Sequence, residues 1–218
     1  MPTVILEDES LRDGLQFEQK ILTLEEKLSL YRLLAAAGVK RLQVGSFVHP
    51  KVVPQMADTA EFIQNVRDET PGVLITALVL NDKGLERALK CGLGHLSMSS
   101  SASNSHSLKN VKRPATEAFA ALLDLIRQAV GSGLEVRAGI QCAFGCVYEG
   151  AVAEDRVIEM AVRLAETGAN ELNLADTTGM ANPLQVRRLV AKTRAAIPQF
   201  PISIHLHDTR GLGLANML

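Results

Sequence analysis

The sequence lacks any strong imbalance of charge. It has 23 basic and 24 acidic residues among 218, which gives a formal net charge of −1 at pH 7. Such a chain has no field that draws it to nucleic acid or anionic lipid. It also shows no apolar run long enough to span a membrane, and no basic-then-apolar start typical of a signal peptide. We therefore expect no nucleic-acid or membrane partner, and a cytoplasmic location or, in a eukaryote, the mitochondrial matrix.

Cysteine is scarce. The only three are Cys91, Cys142 and Cys146, an odd number in a chain without an export signal, which is typical of a reduced protein. Cys142 and Cys146 are close enough in sequence to share a zinc ion, but structural zinc usually takes four ligands and no second pair is present. The sequence therefore disfavours a structural zinc site.

What the chain has in quantity is alternating helix and strand signals. Thr23 with Glu26 three residues later is typical of a helix start, and Gly38 is typical of a helix end. A helix that closes on glycine before a strand recurs four times, and strands are expected at 3–6, 39–47, 73–78, 95–98, 134–137, 171–174 and 201–206. Seven strands separated by helices indicate parallel β-α units.

Two folds fit that pattern, an open doubly wound sheet and a TIM (β/α)8 barrel. Polar residues follow strand after strand instead of clustering at one glycine-rich turn, which favours the barrel, whose active sites lie at the carboxyl ends of the strands. These residues are Arg12, Asp13, Gln43, Ser46, the run 99–105, Gln141, Asp176, His205 and His207. We interpret residues 1–218 as a single TIM-barrel catalytic domain. Strand eight and its flanking helices are missing from this count, so we expect the sequence to be cut relative to the natural protein.

A divalent-metal site is predicted near the last strand. Side chains alternate along a strand, so His205 and His207 point to the same side. Two imidazoles need a carboxylate, and Asp13 follows the first strand, whose end lies on the same rim in a barrel. The sequence therefore predicts that Asp13, His205 and His207 share one cation.

Five segments together resemble a known family, the 3-hydroxy-3-methylglutaryl-CoA lyases. This family lies among the metal-dependent barrel lyases and acyl-CoA condensing enzymes that share a first-strand Asp-Arg-Glu type signature. The segments occur in family order along the chain and are 9–16 (ESLRDGLQ), 46–58 (SFVHPKVVPQMAD), 142–150 (CAFGCVYEG), 175–179 (ADTTG) and 205–209 (HLHDT). Leu15 favours the lyases over the condensing synthases.

The resemblance implies a function and a set of site residues. It implies cleavage of a 3-hydroxy-3-methylglutaryl-CoA-like thioester to acetyl-CoA and acetoacetate, as in leucine degradation, by a homodimer that uses Mg²⁺ or Mn²⁺. By this resemblance, the metal ligands would be Asp13, His205 and His207. Arg12 would act at the thioester carbonyl and Asp176 would be the base, with His205 as the less favoured base. Substrate contacts would come from Arg12, Gln16, Gln43 and Ser103, and Cys146 would be structural.

Three departures from the family pattern leave alternatives open. Gln43 replaces a glutamate, Phe17 replaces a polar residue, and the glycine-rich loop after strand eight, with its cysteine proton donor and asparagine ligand, does not occur in this sequence. The chain by itself is therefore expected not to turn over. The alternatives are a related acyl-CoA lyase or condensing enzyme with another substrate, and an inactive barrel remnant that acts as a binding partner.

Overall fold

The structure is a computed structural model that describes residues 4–218. Strands and helices alternate along it. The strands are β1 (Glu7–Asp8), β2 (Arg41–Ser46), β3 (Leu74–Leu78), β4 (His95–Ser101), β5 (Glu135–Gln141), β6 (Glu171–Asp176) and β7 (Ile202–Leu206). The helices are α1 (Leu24–Ala36), α2 (Thr59–Val66), α3 (Asp82–Lys90), α4 (Asn104–Val111), α5 (Ala115–Gly131), α6 (Glu154–Ala165), α7 (Pro183–Ala196) and α8 (Gly213–Met217).

The chain divides into two compact units, Met1–Ser97 and Met98–Leu218, and the boundary in sequence falls within β4. In the first unit, β1 pairs with β2, β2 with β3 and β3 with the start of β4, always in parallel. Its core includes Tyr31 of α1 and Phe62 of α2, whose rings meet edge to face at 6.2 Å. The prediction of one domain over 1–218 stays a prediction.

In the second unit, β5 pairs with β6 and β6 with β7, again in parallel. The backbone N–H of Ala102, just after β4, donates to the carbonyl of Gln141 at the end of β5. The buried faces of these strands carry apolar side chains such as Ile140 and Leu172. Parallel strands joined by helices confirm the α/β class.

The local signals for α1 are confirmed. Thr23 and Glu26 form a capping box, in which each side chain accepts the other's backbone N–H. Gly38 has φ +90°, a left-handed conformation that glycine adopts without the steric penalty of a Cβ. No helix in residues 4–218 has the combination of length and hydropathy that a membrane crossing requires.

The prediction of a first strand at 3–6 is wrong. Thr3 lies outside the described residues, and Val4, Ile5 and Leu6 are exposed without strand structure. Pairing begins at Glu7, opposite Arg41, and a Glu7–Arg41 ion pair at 3.1 Å accompanies it. Strand formation here therefore depends more on a neighbouring strand that is available for pairing than on the β-propensity of the side chains.

Two polar segments, one after β1 and one at the end of β4, are helical. The polar stretch after β1 forms a π-helical turn, Ser10–Gly14, in which one carbonyl, that of Glu9, accepts the N–H groups of Arg12, Asp13 and Gly14. The serine-rich run 99–105 comprises the end of β4 and the beginning of α4, and Ser103 is the N-cap of that helix. Apolar periodicity is a weak guide to both segments, because polar side chains organise them.

Candidate active site

In the first unit, the guanidinium of Arg12 has three side-chain partners. Its Nη2 donates to Glu9, its Nη1 donates to Asp13 Oδ1 at 2.6 Å, and its Nε donates to Gln43 Oε1. Gln16 Nε2 also donates to Asp13 Oδ1, at 2.6 Å. The π-helical turn brings these groups together, since it places residues 9, 12, 13 and 16 on neighbouring positions of one helical segment.

Gln43 is fully buried on β2 next to an irregularity of the sheet. The β2–β3 register advances from Gln43 to Gly45, so Val44 is an extra residue, as in a β-bulge. Bulges near sites commonly redirect a neighbouring side chain. Gln43 Oε1 accepts from Arg12, whereas Gln43 Nε2 is buried without a hydrogen-bond partner among the described residues.

In the second unit, His205 in β7 and His207 just after it face each other. Nε2 of His205 lies 2.9 Å from Nε2 of His207, and the rings are inclined at 70°. His207 Nδ1 lies 2.8 Å from the carbonyl oxygen of Thr177, so that nitrogen carries the proton and donates. Nε2 of His207 is then the acceptor in the contact with His205, and a ring held through Nδ1 by a backbone carbonyl is common among metal-ligating histidines.

The predicted ligands are divided between the two units. Asp13 belongs to the first unit and His205 and His207 to the second, so their sharing of one cation stays a prediction. One carboxylate and two imidazoles are a suitable donor set for a divalent cation, and adjacent ligands of an octahedral ion lie roughly 3 Å apart, close to the spacing of the two imidazole nitrogens. These residues fit a divalent metal.

Asp176, predicted as the base, is fully buried at the end of β6. Its Oδ1 accepts the N–H of Met180 at 2.8 Å and its Oδ2 accepts the N–H of Ala181 at 3.1 Å. Both carboxylate oxygens thus fix the turn after β6, which also carries Thr177. A positioning role for Asp176 follows directly from these contacts, and its role as base stays a prediction.

Ser103 is also fully buried. Its hydroxyl donates to Cys146 Sγ at 3.0 Å and accepts the N–H of His106 at 3.1 Å. Burial, together with the neighbouring Cys146, raises the pKa of the Cys142 thiol to about 12, so Cys142 is neutral at physiological pH. These contacts agree with a structural Cys146 and place Ser103 in the supporting structure; its substrate contact stays a prediction.

Three further residues support the second unit's loops and were missed by sequence reasoning. Thr177 Oγ1 accepts the N–H of Cys142 at 2.9 Å, Arg210 Nη1 donates to the carbonyl of Gly179 at 2.7 Å, and Glu149 Oε1 accepts the N–H of Ser105 at 2.5 Å. Each contact involves the backbone of a residue 31–44 positions away, so no local pattern predicts it. Glu9 was also missed as a site residue, although its spacing of three from Arg12 would pair the two on any helical turn.

Comparison with known proteins places the chain in a family. The family model described as HMGL-like matches residues 3–218. The chain is 38% identical over 228 residues to (R)-citramalyl-CoA lyase of Chloroflexus aurantiacus, a match that covers 99% of this chain and 71% of that protein.

Two solved structures extend the likeness to the fold. The HMG-CoA lyase of Bacillus subtilis superposes with a TM-score of 0.93 at 37% identity, over 98% of this chain and 72% of that one. An HMG-CoA lyase of Acinetobacter baumannii, in complex with coenzyme A and 3-methylmalate, superposes with a TM-score of 0.91 at 33% identity, over 98% of this chain and 69% of that one. The fold is therefore of the TIM-barrel type, as predicted, and the chain belongs to the HMGL-like family of lyases.

Proposed function

We propose that this chain carries the metal- and arginine-bearing part of a lyase that cleaves a 3-hydroxy-3-methylglutaryl-CoA-like thioester to acetyl-CoA and acetoacetate. The observation that carries the proposal is the pair of imidazoles of His205 and His207, 2.9 Å apart in the second unit, and the bond of Arg12 to the Asp13 carboxylate in the first unit supports it. Imidazole and carboxylate ligands together with a fixed guanidinium would suit a substrate whose hydroxyl and thioester carbonyl react together.

Asp13, His205 and His207 would hold Mg²⁺ or Mn²⁺. When bound, the ion supplies Lewis-acid chemistry that makes the tertiary hydroxyl of the substrate more acidic. The protein's own contribution is orientation. The hydrogen bond from His207 Nδ1 to Thr177 fixes that ring, and the bonds from Arg12 and Gln16 fix the Asp13 carboxylate.

Arg12 would stabilise the enolate that develops on the thioester oxygen as the carbon–carbon bond breaks. Its side chain is only 13% exposed, so its charge is screened less than that of a surface arginine. Its three side-chain partners use three of the five guanidinium hydrogens, which leaves two for a ligand. A cation held in place before the reaction needs no reorganisation during it. Gln16 and Gln43 are proposed substrate contacts in the same cluster.

A second acyl group deserves a parallel test, because the (R)-citramalyl-CoA lyase is as similar in sequence as the hydroxymethylglutaryl-CoA lyases. That substrate would release pyruvate in place of acetoacetate. Other candidate acyl groups share the same thioester and tertiary hydroxyl, which the proposed Arg12 and metal contacts would recognise alike.

The experiment measures metal binding and product release separately. Isothermal titration of the purified chain with Mn²⁺, Mg²⁺ and Fe²⁺ should give one site that His207→Ala removes. Purified full-length protein with Mn²⁺ should then release acetoacetate from 3-hydroxy-3-methylglutaryl-CoA. Pyruvate from citramalyl-CoA alone would reassign the substrate, whereas metal binding with no cleavage of either thioester would favour the inactive binding-partner alternative. Sedimentation of the same sample tests the proposed homodimer.

A further inference from the structure

A row of polar side chains lies one layer below His205, on the same face of the second unit's sheet. Side chains alternate along a strand, so Ser203 and His205 of β7 face the same side. The register pairs Ser203 with Asn173 of β6, and Asn173 with Gly139 of β5. A Cβ at Gly139 would lie 2.9 Å from the Cβ of Ser99 and 3.8 Å from that of Asn173, so Ser99 of β4 belongs to the same row.

Two serine hydroxyls on this face hold two side-chain amides. Gln141 Nε2 donates to Ser99 Oγ at 2.9 Å, and Asn173 Nδ2 donates to Ser203 Oγ at 3.1 Å. The Ser203 hydroxyl donates its only hydrogen to the carbonyl of Leu172 at 3.4 Å, so it accepts from Asn173. The Asn173 amide is therefore fixed with its nitrogen at Ser203 and its oxygen directed away from it. We refer to these four side chains as the amide floor: Ser99, Gln141, Asn173 and Ser203.

The amide floor has hydrogen-bonding capacity to spare. Neither Gln141 Oε1 nor Asn173 Oδ1 accepts a hydrogen bond within residues 4–218, and each NH₂ group uses one of its two hydrogens. All four side chains of the floor are half-buried, whereas Leu172 and Leu174 on the opposite face are fully buried. A small group can therefore reach the floor, and an apolar group placed there would leave polar atoms without partners.

The amide floor is electrically neutral. Its amides and hydroxyls both donate and accept hydrogen bonds. On this face of β5 and β6, the nearest charged side chains are Arg137 and Glu171, which lie one layer further from His205, have opposite signs and are paired in the register. A ligand carboxylate or ammonium group would lack a compensating charge at the floor, which is costly, whereas a hydroxyl or a carboxamide would find both donors and acceptors.

We propose that the amide floor is a specificity site that binds a neutral hydrogen-bonding group, a hydroxyl or a carboxamide, carried on the hydroxyl-bearing carbon of the substrate. The role in substrate selection rests on the proposed lyase function, whereas the binding of such a group to the floor does not. Two residues along a strand span about 6.6 Å, so the floor lies about that far below His205. A substituent roughly three atoms long and one hydrogen bond cover this distance, which favours substituents larger than methyl.

The test compares two 3-hydroxyglutaryl-CoA thioesters that carry substituents of nearly equal shape on the hydroxyl-bearing carbon, carbamoylmethyl and isobutyl. Full-length protein with Mn²⁺ should release acetyl-CoA from the carbamoylmethyl compound with a kcat/KM at least about 10-fold higher, because isobutyl leaves the amide oxygens without partners. Gln141→Met and Asn173→Leu each remove one amide and should reduce this preference to below about 3-fold. Equal kcat/KM values in the unchanged protein, or an unchanged preference in both variants, would overturn the proposal.

A second readout separates this proposal from the lyase function. The side-chain NH₂ signals of Gln141 and Asn173 in a ¹H–¹⁵N spectrum of the purified chain with Mg²⁺ are assigned by their loss in the two variants. They should shift when 3-carbamoylmethyl-3-hydroxyglutarate is added, and much less with the isobutyl acid. Such shifts without cleavage of any thioester would support the floor and remove the lyase function alone. Equal responses to both acids, or no response to either, would overturn the floor even if the protein is a lyase.

Gln128→Met is the matched control. It makes the same substitution as Gln141→Met on the exposed side of α5, in the same unit, and should leave the preference unchanged. A similar loss in this control would show that the preference does not come from the floor. If Asn173→Leu strongly lowers the melting temperature, Ser203→Ala removes only the hydroxyl that orients the Asn173 amide. This variant should reduce the preference by about 3-fold, and an unchanged preference would contradict the role of that amide.

Discussion

The segment after β1 and the loops after β6 and β7 hold functional side chains in opposite ways. After β1, side chains are fixed by other side chains, as Arg12 is by Glu9, Asp13 and Gln43. After β6 and β7, the backbone is one partner in the contacts of Asp176 and Arg210, and the Thr177 carbonyl holds His207; the contact between His205 and His207 is the exception. The first region should therefore be adjustable by paired substitutions, whereas the second should depend on backbone conformation.

Asp13→Ala should have the largest effect. It removes the carboxylate of the proposed site and leaves Arg12 Nη1 and Gln16 Nε2 without their shared acceptor. We expect Mn²⁺ affinity to fall by at least about 100-fold. Mutating a residue that only supports a metal ligand lowers affinity by up to about 100-fold, and Asp13 is proposed to be a ligand itself. Titration calorimetry measures it, and Asp124→Ala, on the surface of α5, is the control. Retained affinity would show that the carboxylate does not bind metal.

Asp176→Asn tests how strongly the second region depends on backbone contacts. An amide keeps the side-chain shape but offers one acceptor oxygen in place of two, so Met180 or Ala181 loses its partner. We expect unfolding free energy to fall by about 1–3 kcal/mol and Mn²⁺ affinity to weaken as Thr177 shifts. Urea unfolding and metal titration give both values. If turnover instead drops by about 100-fold or more while stability and metal affinity stay unchanged, the result would support Asp176 as base.

Gly179→Ala should have a smaller effect that is specific to the same turn. Gly179 has φ +63°, and a Cβ there would lie 2.5 Å from Thr209 Oγ1. Gly38→Ala is the matched control, because it has φ +90° with nothing within 4 Å of the added carbon. Gly38→Ala should lower the free energy of unfolding by about 1 kcal/mol through backbone strain alone, and Gly179→Ala should lower it further because of the contact with Thr209. Equal melting temperatures would mean that the two loops separate easily at Thr209.

The sequence predicted the features that depend on short-range chemistry. The Thr23–Glu26 capping box and Gly38 act within one helix, and the extended chain from His205 to His207 keeps these two side chains next to each other. The π-helical turn was missed because no apolar repeat marks it; its stability comes from one carbonyl and an arginine with three partners. The burial of Ser103 was missed because its partner, Cys146, is 43 residues away.

Glu149→Gln should have the smallest effect. Glu149 combines the two modes of support, because its side chain accepts a hydrogen bond from the backbone of Ser105. Burial tends to raise the pKa of Glu149, but hydrogen bonds from Ser105 and its neighbours outweigh it, so the pKa lies below the ordinary 4.5. The carboxylate therefore stabilises the fold above about pH 4.5, and that stabilisation is lost as pH falls through the lowered pKa.

The melting temperature of Glu149→Gln should accordingly lie about 1–2 °C below that of the unchanged protein at pH 7, because the group is exposed and solvent screens it. The difference should shrink towards zero by pH 3. Glu61→Gln, on the exposed face of α2, provides the control for general charge effects. A difference that stays constant from pH 7 to pH 3 would mean that the shape of the side chain, and not its charge, holds the start of α4.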